Sequence, residues 1–428
     1  MQEISVQGIK KLKGTIQMPG DKSISHRAII LGAIAEGKTR IKGFLRGEDC
    51  LNTIKIFRQL GIDIEENSPA GIVIKGKGLH GLSKPDSFLD AGNSGTTMRL
   101  VSGILAGQNF TSTITGDKSL SARPMKRIIA PLREMGAVIG AREDNFAPLL
   151  IKGNKLKGIN YVSKIASAQL KSCLLLAGLY AQGETTVTEP VKSRDHTERM
   201  LKYFGIEIKE KGLTVGVKSP ARLTGQAITV PGDISSAAFF VIGAILLPDS
   251  RITIKNIGLN PTRTGILTVL KQMGAKIIIE NERTDGDEPV GDLVVKAGAL
   301  KGVKITGGLI PFLIDEIPIL AVAATQTEGV TEISGARELR VKETDRIKAI
   351  SSQLALMGAR IEEKEDGMII YGGTRLKGSY LNSFGDHRMA MSLVIAGLLA
   401  EGKTTVKNTE CISTSLPGFM DILKQISA

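Results

Sequence analysis

The sequence has 428 residues, enough for two or three domains that each bury a core. Lys and Arg number 56 against 43 Asp and Glu, a formal net charge of +13 that suits an anionic partner: nucleic acid, a membrane surface or a phosphorylated small molecule. Aromatics are only 4%, Trp is absent and the basic residues are dispersed, which argues against a base-stacking nucleic-acid surface and against a polybasic tail.

In chain order, a strand is expected before Pro19, and then one pattern recurs. A small-residue apolar helix breaks and gives way to a short β-branched strand: AIILGAIAEGKTRIKG (28–43), VSGILAGQNFTSTITG (101–116), LLLAGLYAQGETTVTE (174–189), FFVIGAILLPDSRITIKN (239–256), ILAVAATQTEGVTEISG (319–335) and LVIAGLLAEGKTTVKN (393–408). Between the copies lies a second signature, an amphipathic helix closing on Gly and leading into a strand: FRQLGIDIEE (57–66), LREMGAVIGA (132–141), LKYFGIEIKE (201–210), LKQMGAKIII (270–279) and LALMGARIEE (354–363). Gly after the last apolar turn reads as a helix C-cap, and the β-branched residues after it prefer a pleated strand. Six α/β units at a spacing of about 70 residues therefore fill the chain.

Two segments, GAIAEGKT (32–39) and GLLAEGKT (397–404), match the phosphate-loop pattern. A working loop needs a strand before the Gly-rich turn and a helix after it, so that helix N-terminal N–H groups face the phosphates. Here the helix comes first, and its C-terminus carries partial negative charge. Both segments read as a helix cap and the first residues of a strand.

Six units exceed one core, and a three-plus-three split is expected. MPGDKSISHRA (18–28) opens unit one and VPGDISSAAFF (230–240) opens unit four, like two crossings of one hinge. One domain would comprise 1–19 plus 231–428, the other 20–230. The strand before Pro19 would pair into the first of these. Cys50, Cys173 and Cys411 form no Cys-x-x-Cys pair and are odd in number, so a reducing cytoplasm is expected. The N-terminus lacks the apolar core of a signal peptide, and the apolar runs 237–248 and 389–400 are shorter than the ~18 residues a membrane span takes.

Four polar clusters depart from the repeat. In DKSISHR (21–27), Ser23 or Ser25 would cap a helix running from Arg27, leaving Lys22 and Arg27 beside free N–H groups; a plain charged helix start is the alternative. AGNSGTTMR (91–99) and SARPMKR (121–127) gather backbone and hydroxyl donors with Arg123, or form a turn before a core helix. SAQLKS (167–172) and VKSRDHTER (191–199) place Ser167, Gln169 and Arg194 at helix starts, where a solvated charge run is the bland reading. IDEIP (314–318), ELRVKETDR (338–346) and SFGDHRMAM (383–391) set Asp315, Glu316, Asp386, His387 and Arg388 against apolar residues; Lys342, Glu343 and Arg346 would otherwise make surface ion pairs. No His/Cys/Asp spacing resembles a zinc or calcium loop, so no metal is expected.

Taken together, PGDKSISHRA, GNSGTTMRL, ARPMKR, SAQLKS, PGDISSAAFF, IDEIP, RVKETDR and GDHRMAM resemble the 5-enolpyruvylshikimate-3-phosphate synthase family, in family order, over nearly the whole chain. The resemblance implies two similar α/β domains, each of three βαβαββ units around buried parallel helices, with the active site in the cleft between them. It implies transfer of the enolpyruvyl group of phosphoenolpyruvate to the 5-hydroxyl of shikimate 3-phosphate, with no cofactor. It assigns Lys22, Ser23, Arg27, Ser167, Gln169, Arg194, Asp315 and Lys342 to shikimate 3-phosphate. It assigns Lys22, Gly95, Arg123, Gln169, Arg346 and Arg388 to phosphoenolpyruvate. Glu343 would be the acid–base group at the methylene carbon, partly desolvated; Asp315 the base at the hydroxyl; Lys22 would serve the leaving phosphate.

The sequence departs from the enterobacterial branch at Thr414, where that branch has Lys, and at His196, near which it has Tyr. Gly95 matches the inhibitor-sensitive form. UDP-N-acetylglucosamine enolpyruvyl transferases share the fold, but carry Asn after the first Lys and a Cys on a mobile loop; this chain has Ser23 and no Cys between Cys50 and Cys173. A nucleic-acid-binding protein is the rival of another class, distinguished by a salt-steep DNA affinity. A monomeric enzyme is expected, with two small-molecule substrates and neither nucleic acid nor membrane as partner.

Overall fold

Strand pairing repeats as the sequence does. In the second unit, Leu89–Asp90 lies parallel to Thr111–Thr115, which pairs antiparallel with Phe146–Lys152, itself hairpinned to Val138–Arg142. The computed structural model describes residues 2–69 and 71–428, and among these residues the same order builds five four-stranded sheets. The sixth sheet has three strands, with Glu3–Gln7 antiparallel to Lys403–Lys407 and Tyr380–Asn382 on the other side. Glu36–Lys42 and Phe146–Lys152 bury alternate residues, so each has one face on the core and one in water.

The chain divides into two compact units. One, the terminal unit, holds the residues up to Pro19 together with Pro231–Thr284 and Pro289–Ala428; the other, the inserted unit, is Gly20–Val230 with Asp285–Glu288. Each has its own apolar core. Each also closes a sheet with a distant strand. Ala227–Thr229 pairs with Glu36–Lys42 in the inserted unit, and Lys13–Gln17 pairs with Arg251–Gly258 in the terminal unit, as expected for the strand before Pro19.

The cores are built from nearly all-buried helices: Lys22–Ile34, Gly95–Ala106 and Ala168–Gly178 in the inserted unit, Ile234–Leu246, Ile317–Thr325 and His387–Leu399 in the terminal one. Helices lie inside and sheets outside. Gly95–Ala106 and Ala168–Gly178 run side by side in one direction: Arg99 meets Gln169 and, one turn on, Gly103 meets Cys173. A Cβ on Gly103 would stand 2.3 Å from the Cys173 carbonyl oxygen, so this contact requires glycine. Both long apolar runs are thus core helices, and none of the described helices is long and apolar enough to cross a membrane.

The phosphate-loop look-alikes have the order helix, then strand: Lys22–Ile34 precedes Glu36–Lys42, and His387–Leu399 precedes Lys403–Lys407. Their glycines are not helix caps, as the sequence reading had them. The helices end on extended Ala35 and Ala400, and Gly37 and Gly402 take φ of +89° and +90° at the strand start. The amphipathic helices do end as expected; Glu48–Gln59, for instance, is followed by Leu60 and then Gly61 at φ +84°.

Candidate active site

In the inserted unit, three buried helices begin together, and their first turns carry most of the polar residues singled out above. A helix N-terminus exposes unpaired N–H groups and partial positive charge, so three in one place favour anions. The first helix is capped by Asp21, whose carboxylate accepts the Ile24 N–H at 2.8 Å, and not by Ser23 or Ser25. The Ser25 hydroxyl instead accepts the Leu45 N–H. The helix therefore starts five residues before Arg27, and Lys22, Ser23 and Arg27 all lie within its first two turns. Ser94 and Ser167 cap the other two.

Arg27 ties three helices together. Its Nε donates to Thr197 Oγ1 (2.7 Å), Nη2 to Ser172 Oγ (2.8 Å) and Nη1 to the Ser23 carbonyl (3.0 Å). Burial, opposed by Glu198 and Asp21 and aided by Arg194, lowers it to about 10, so it stays charged at neutral pH. Lys22 is ion-paired to Asp49. His26 is driven well below its usual range by burial and by the neighbouring Lys22 and Arg27, and is neutral. Beside these, Arg123 Nη2 donates to Asn93 Oδ1 at 2.8 Å. Gln169 accepts from Arg99 Nη1 at 2.5 Å and donates to Thr96 Oγ1 at 3.0 Å. A Cβ on Gly95 would meet Arg99 Nη1 at 2.9 Å and Arg123 Nη1 at 3.3 Å, which places Gly95 where two guanidinium groups converge.

In the terminal unit the helix starts are acidic. Asp233 caps Ile234–Leu246, Asp386 caps His387–Leu399, and Glu316 stands at the cap position of Ile317–Thr325. Arg346 is the hub. It is 2% exposed, so the surface ion pairs that its charge run suggested are not what forms. Nε donates to Asp386 Oδ2 (2.7 Å), Nη2 to Glu343 Oε2 (2.6 Å) and Nη1 to Asp315 Oδ1 (3.2 Å). Burial opposes the charge on Arg346, but the three carboxylates outweigh it and the guanidinium is held cationic. Lys342 Nζ lies 3.6 Å from Asp315 Oδ1; burial lowers it, with Asp315 opposing and Arg346 assisting. Arg388 donates to Ser235 Oγ and lies 3.7 Å from the fully buried Glu316, which also accepts from the Ser235 hydroxyl.

The structure therefore gathers Lys22, Ser23, Arg27, Gly95, Arg123, Ser167, Gln169 and Arg194 in one unit, and Asp315, Lys342, Glu343, Arg346 and Arg388 in the other. Sequence reasoning missed Arg99, which fixes Gln169, and gave no role to Asp386, which it had flagged and which both caps a helix and orients Arg346. It also missed Arg263, 3.4 Å from Glu316 and 3.8 Å from Asp315. Arg99 and Asp386 stand inside quoted motifs; Arg263, in NPTR (260–263), had no such flag. His387 Nδ1 lies 3.3 Å from Thr414 Oγ1, the position where the sequence departs from the enterobacterial branch.

The fold defines a class. The enolpyruvyl transferase NikO of Streptomyces tendae superposes with a TM-score of 0.79 over 99% of this chain and 96% of its own, at 16% identity, a likeness of fold alone. An EPSP synthase from Acinetobacter baumannii is nearer, with a TM-score of 0.89 and 47% identity over 100% of this chain and 98% of its own. The family description of EPSP synthase (3-phosphoshikimate 1-carboxyvinyltransferase) matches residues 6–423, and the chain belongs to that family. The 3-phosphoshikimate 1-carboxyvinyltransferases of Brevibacillus brevis and Desulforamulus reducens are each 53% identical to it over 99% of the chain, covering 100% and 99% of those proteins.

Proposed function

We propose that the chain moves the enolpyruvyl group of phosphoenolpyruvate onto the 5-hydroxyl of shikimate 3-phosphate and releases phosphate, the shikimate-pathway step that its family's name describes. The observation that supports it best is the division of chemistry. One unit offers cations and hydroxyls at three helix N-termini, and the other holds two carboxylates, Asp315 and Glu343, on a single buried arginine.

Two anionic substrates need many fixed cations, and Arg offers bidentate geometry to carboxylate and phosphate. Ser23, Arg27, Ser167, Gln169 and Arg194 are assigned to shikimate 3-phosphate, with Asp315 and Lys342 on its hydroxyls. Lys22, Arg123, Arg346 and Arg388 are assigned to phosphoenolpyruvate, with Gly95 and Gln169 beside them. Asp315 takes the proton from the 5-hydroxyl as its oxygen bonds to C2 of phosphoenolpyruvate, and Glu343 protonates C3. The tetrahedral adduct collapses when Glu343 removes a C3 proton and the C2–O bond to phosphate breaks, with Lys22 meeting the charge that develops on the leaving group. The Glu343 side chain is 18% exposed and paired to Arg346, so it is largely withdrawn from water. The same reading makes the protein a cytoplasmic monomer.

The test is phosphate release from phosphoenolpyruvate with each of two acceptors. Shikimate 3-phosphate is expected to support turnover and UDP-N-acetylglucosamine not. Release with the nucleotide sugar, or with neither, overturns the reading.

A further inference from the structure

Lys171 has no place in the chemistry above, yet it is one of the most deeply buried cations of the chain, 2% exposed, in the first turns of the Ala168–Gly178 helix. Its Nζ stands 2.8 Å from Glu189 Oε2 and 2.7 Å from Glu198 Oε1, and donates to the Ser193 carbonyl at 3.4 Å, so all three ammonium protons have an acceptor. Both carboxylates are as buried as the lysine. Withdrawing three charges from water is costly, and apolar side chains of similar size commonly serve stability as well or better. What the cluster supplies is position. Glu189 Oε1 accepts the Ser167 N–H at 3.1 Å, and Oε2 accepts the Ser193 N–H at 3.2 Å. One carboxylate thus holds two stretches of irregular backbone, one ending at the helix cap Ser167 and the other running into Arg194.

We propose that Lys171 and Glu189 are positioning residues for shikimate 3-phosphate: the ammonium fixes the carboxylate, and the carboxylate fixes the backbone from which the Ser167 hydroxyl and the Arg194 guanidinium project. The proposal rests on the assignment of Ser167 and Arg194 made above. Gln169 and the arginines around Gly95 are held by other partners, Arg99, Thr96 and Asn93, so the device acts on one substrate and leaves the other's contacts in place.

Two variants test it. Glu189→Gln keeps the shape, but its single carbonyl oxygen cannot serve both N–H groups. Glu189→Asp keeps the charge that pairs with Lys171, so the core stays balanced, while its shorter reach cannot span the ammonium and both N–H groups. Steady-state KM for each substrate and the melting temperature are measured for both. The expected result is a rise of roughly ten- to hundredfold in KM for shikimate 3-phosphate, with KM for phosphoenolpyruvate near wild type and Glu189→Asp melting close to wild type. A lowered melting temperature with both KM values unchanged, or an equal rise in both, overturns the proposal. Wild-type enzyme and Arg194→Ala separate the two readings. If wild type turns over shikimate 3-phosphate and Arg194→Ala weakens it while both Glu189 variants do not, the positioning role fails alone. If Arg194→Ala has no effect, the assignment beneath it fails.

Discussion

Gly95 has no side chain at the point where Arg99 and Arg123 converge, and a methyl group there must displace the Arg99 terminus that holds Gln169. Gly95→Ala is therefore expected to raise KM for phosphoenolpyruvate roughly tenfold, the scale of one charge-assisted hydrogen bond, and to raise KM for shikimate 3-phosphate less, through Gln169 alone; equal KM values for phosphoenolpyruvate in mutant and wild type would disprove this. Asp315 faces Arg346 and Lys342 and is proposed as the base. Asp315→Asn keeps shape and hydrogen-bonding capacity, so kcat should fall by about 10²–10⁴, while calorimetric affinity for shikimate 3-phosphate changes far less. A near-normal kcat would remove Asp315 from proton transfer. At this scale the sequence was partly legible. Motif residues were found because polar groups interrupt a repeat, and the local charge run left a surface ion pair open for Arg346 because its partners Asp315 and Asp386 are 31 and 40 positions away. Lys171 was passed over inside a quoted motif for the same reason: a lysine is read as solvated unless its distant carboxylates, Glu189 and Glu198, are known to reach it.

Elements carried more of their own signal. Helix and strand follow local periodicity, so the six-unit repeat could be read directly, and the order of helix and strand sufficed to dismiss the phosphate-loop pattern. Caps were harder: Asp21 and Ser23 both suit the position, and only the path of the backbone decides between them. Close packing was invisible. Gly103 reads as one more small residue in an apolar helix, yet a Cβ there would press on the Cys173 carbonyl. Gly103→Ala is expected to cost about 1–3 kcal/mol, measured by urea unfolding; a neutral effect would show that the two helices can part freely. Strand stitching gives a pH dependence. Burial pushes Asp292 up, but the Lys255 ammonium, the Asn256 N–H and the Asn281 amide outweigh it and hold the carboxyl at about 2. A folded pKa below the unfolded one means that the stabilisation is full above about pH 4 and is lost as pH falls towards about 2. Asp292→Asn should thus be less stable than wild type at neutral pH, with the gap closing in acid; a gap independent of pH would exclude this linkage.

The molecule carries a formal net charge of +13, and both proposed substrates are anions. Their encounter should be assisted by the general field, so kcat/KM is expected to fall several-fold between about 0.05 and 0.5 M KCl; indifference to salt would confine the attraction to close contacts. Two strands near the start of the chain matter in another way. Glu3–Gln7 and Lys13–Gln17 are translated well before their sheet partners, which begin at Lys403 and Arg251. As the ribosome works, Gly20–Val230 already contains the strand that closes its own first sheet, Ala227–Thr229, and can complete its core early. The leading segment has to wait with its backbone unpaired, an invitation to pair with a neighbouring nascent chain. Lys10, Lys11 and Lys13 stand in that segment, and charge of one sign is what keeps such a waiting edge from finding the wrong partner. A fragment of residues 20–230 should accordingly melt cooperatively by itself, whereas 231–428 made without the first nineteen residues should aggregate, and replacing the three lysines by uncharged residues should lower the soluble yield of the whole chain far more than its melting temperature.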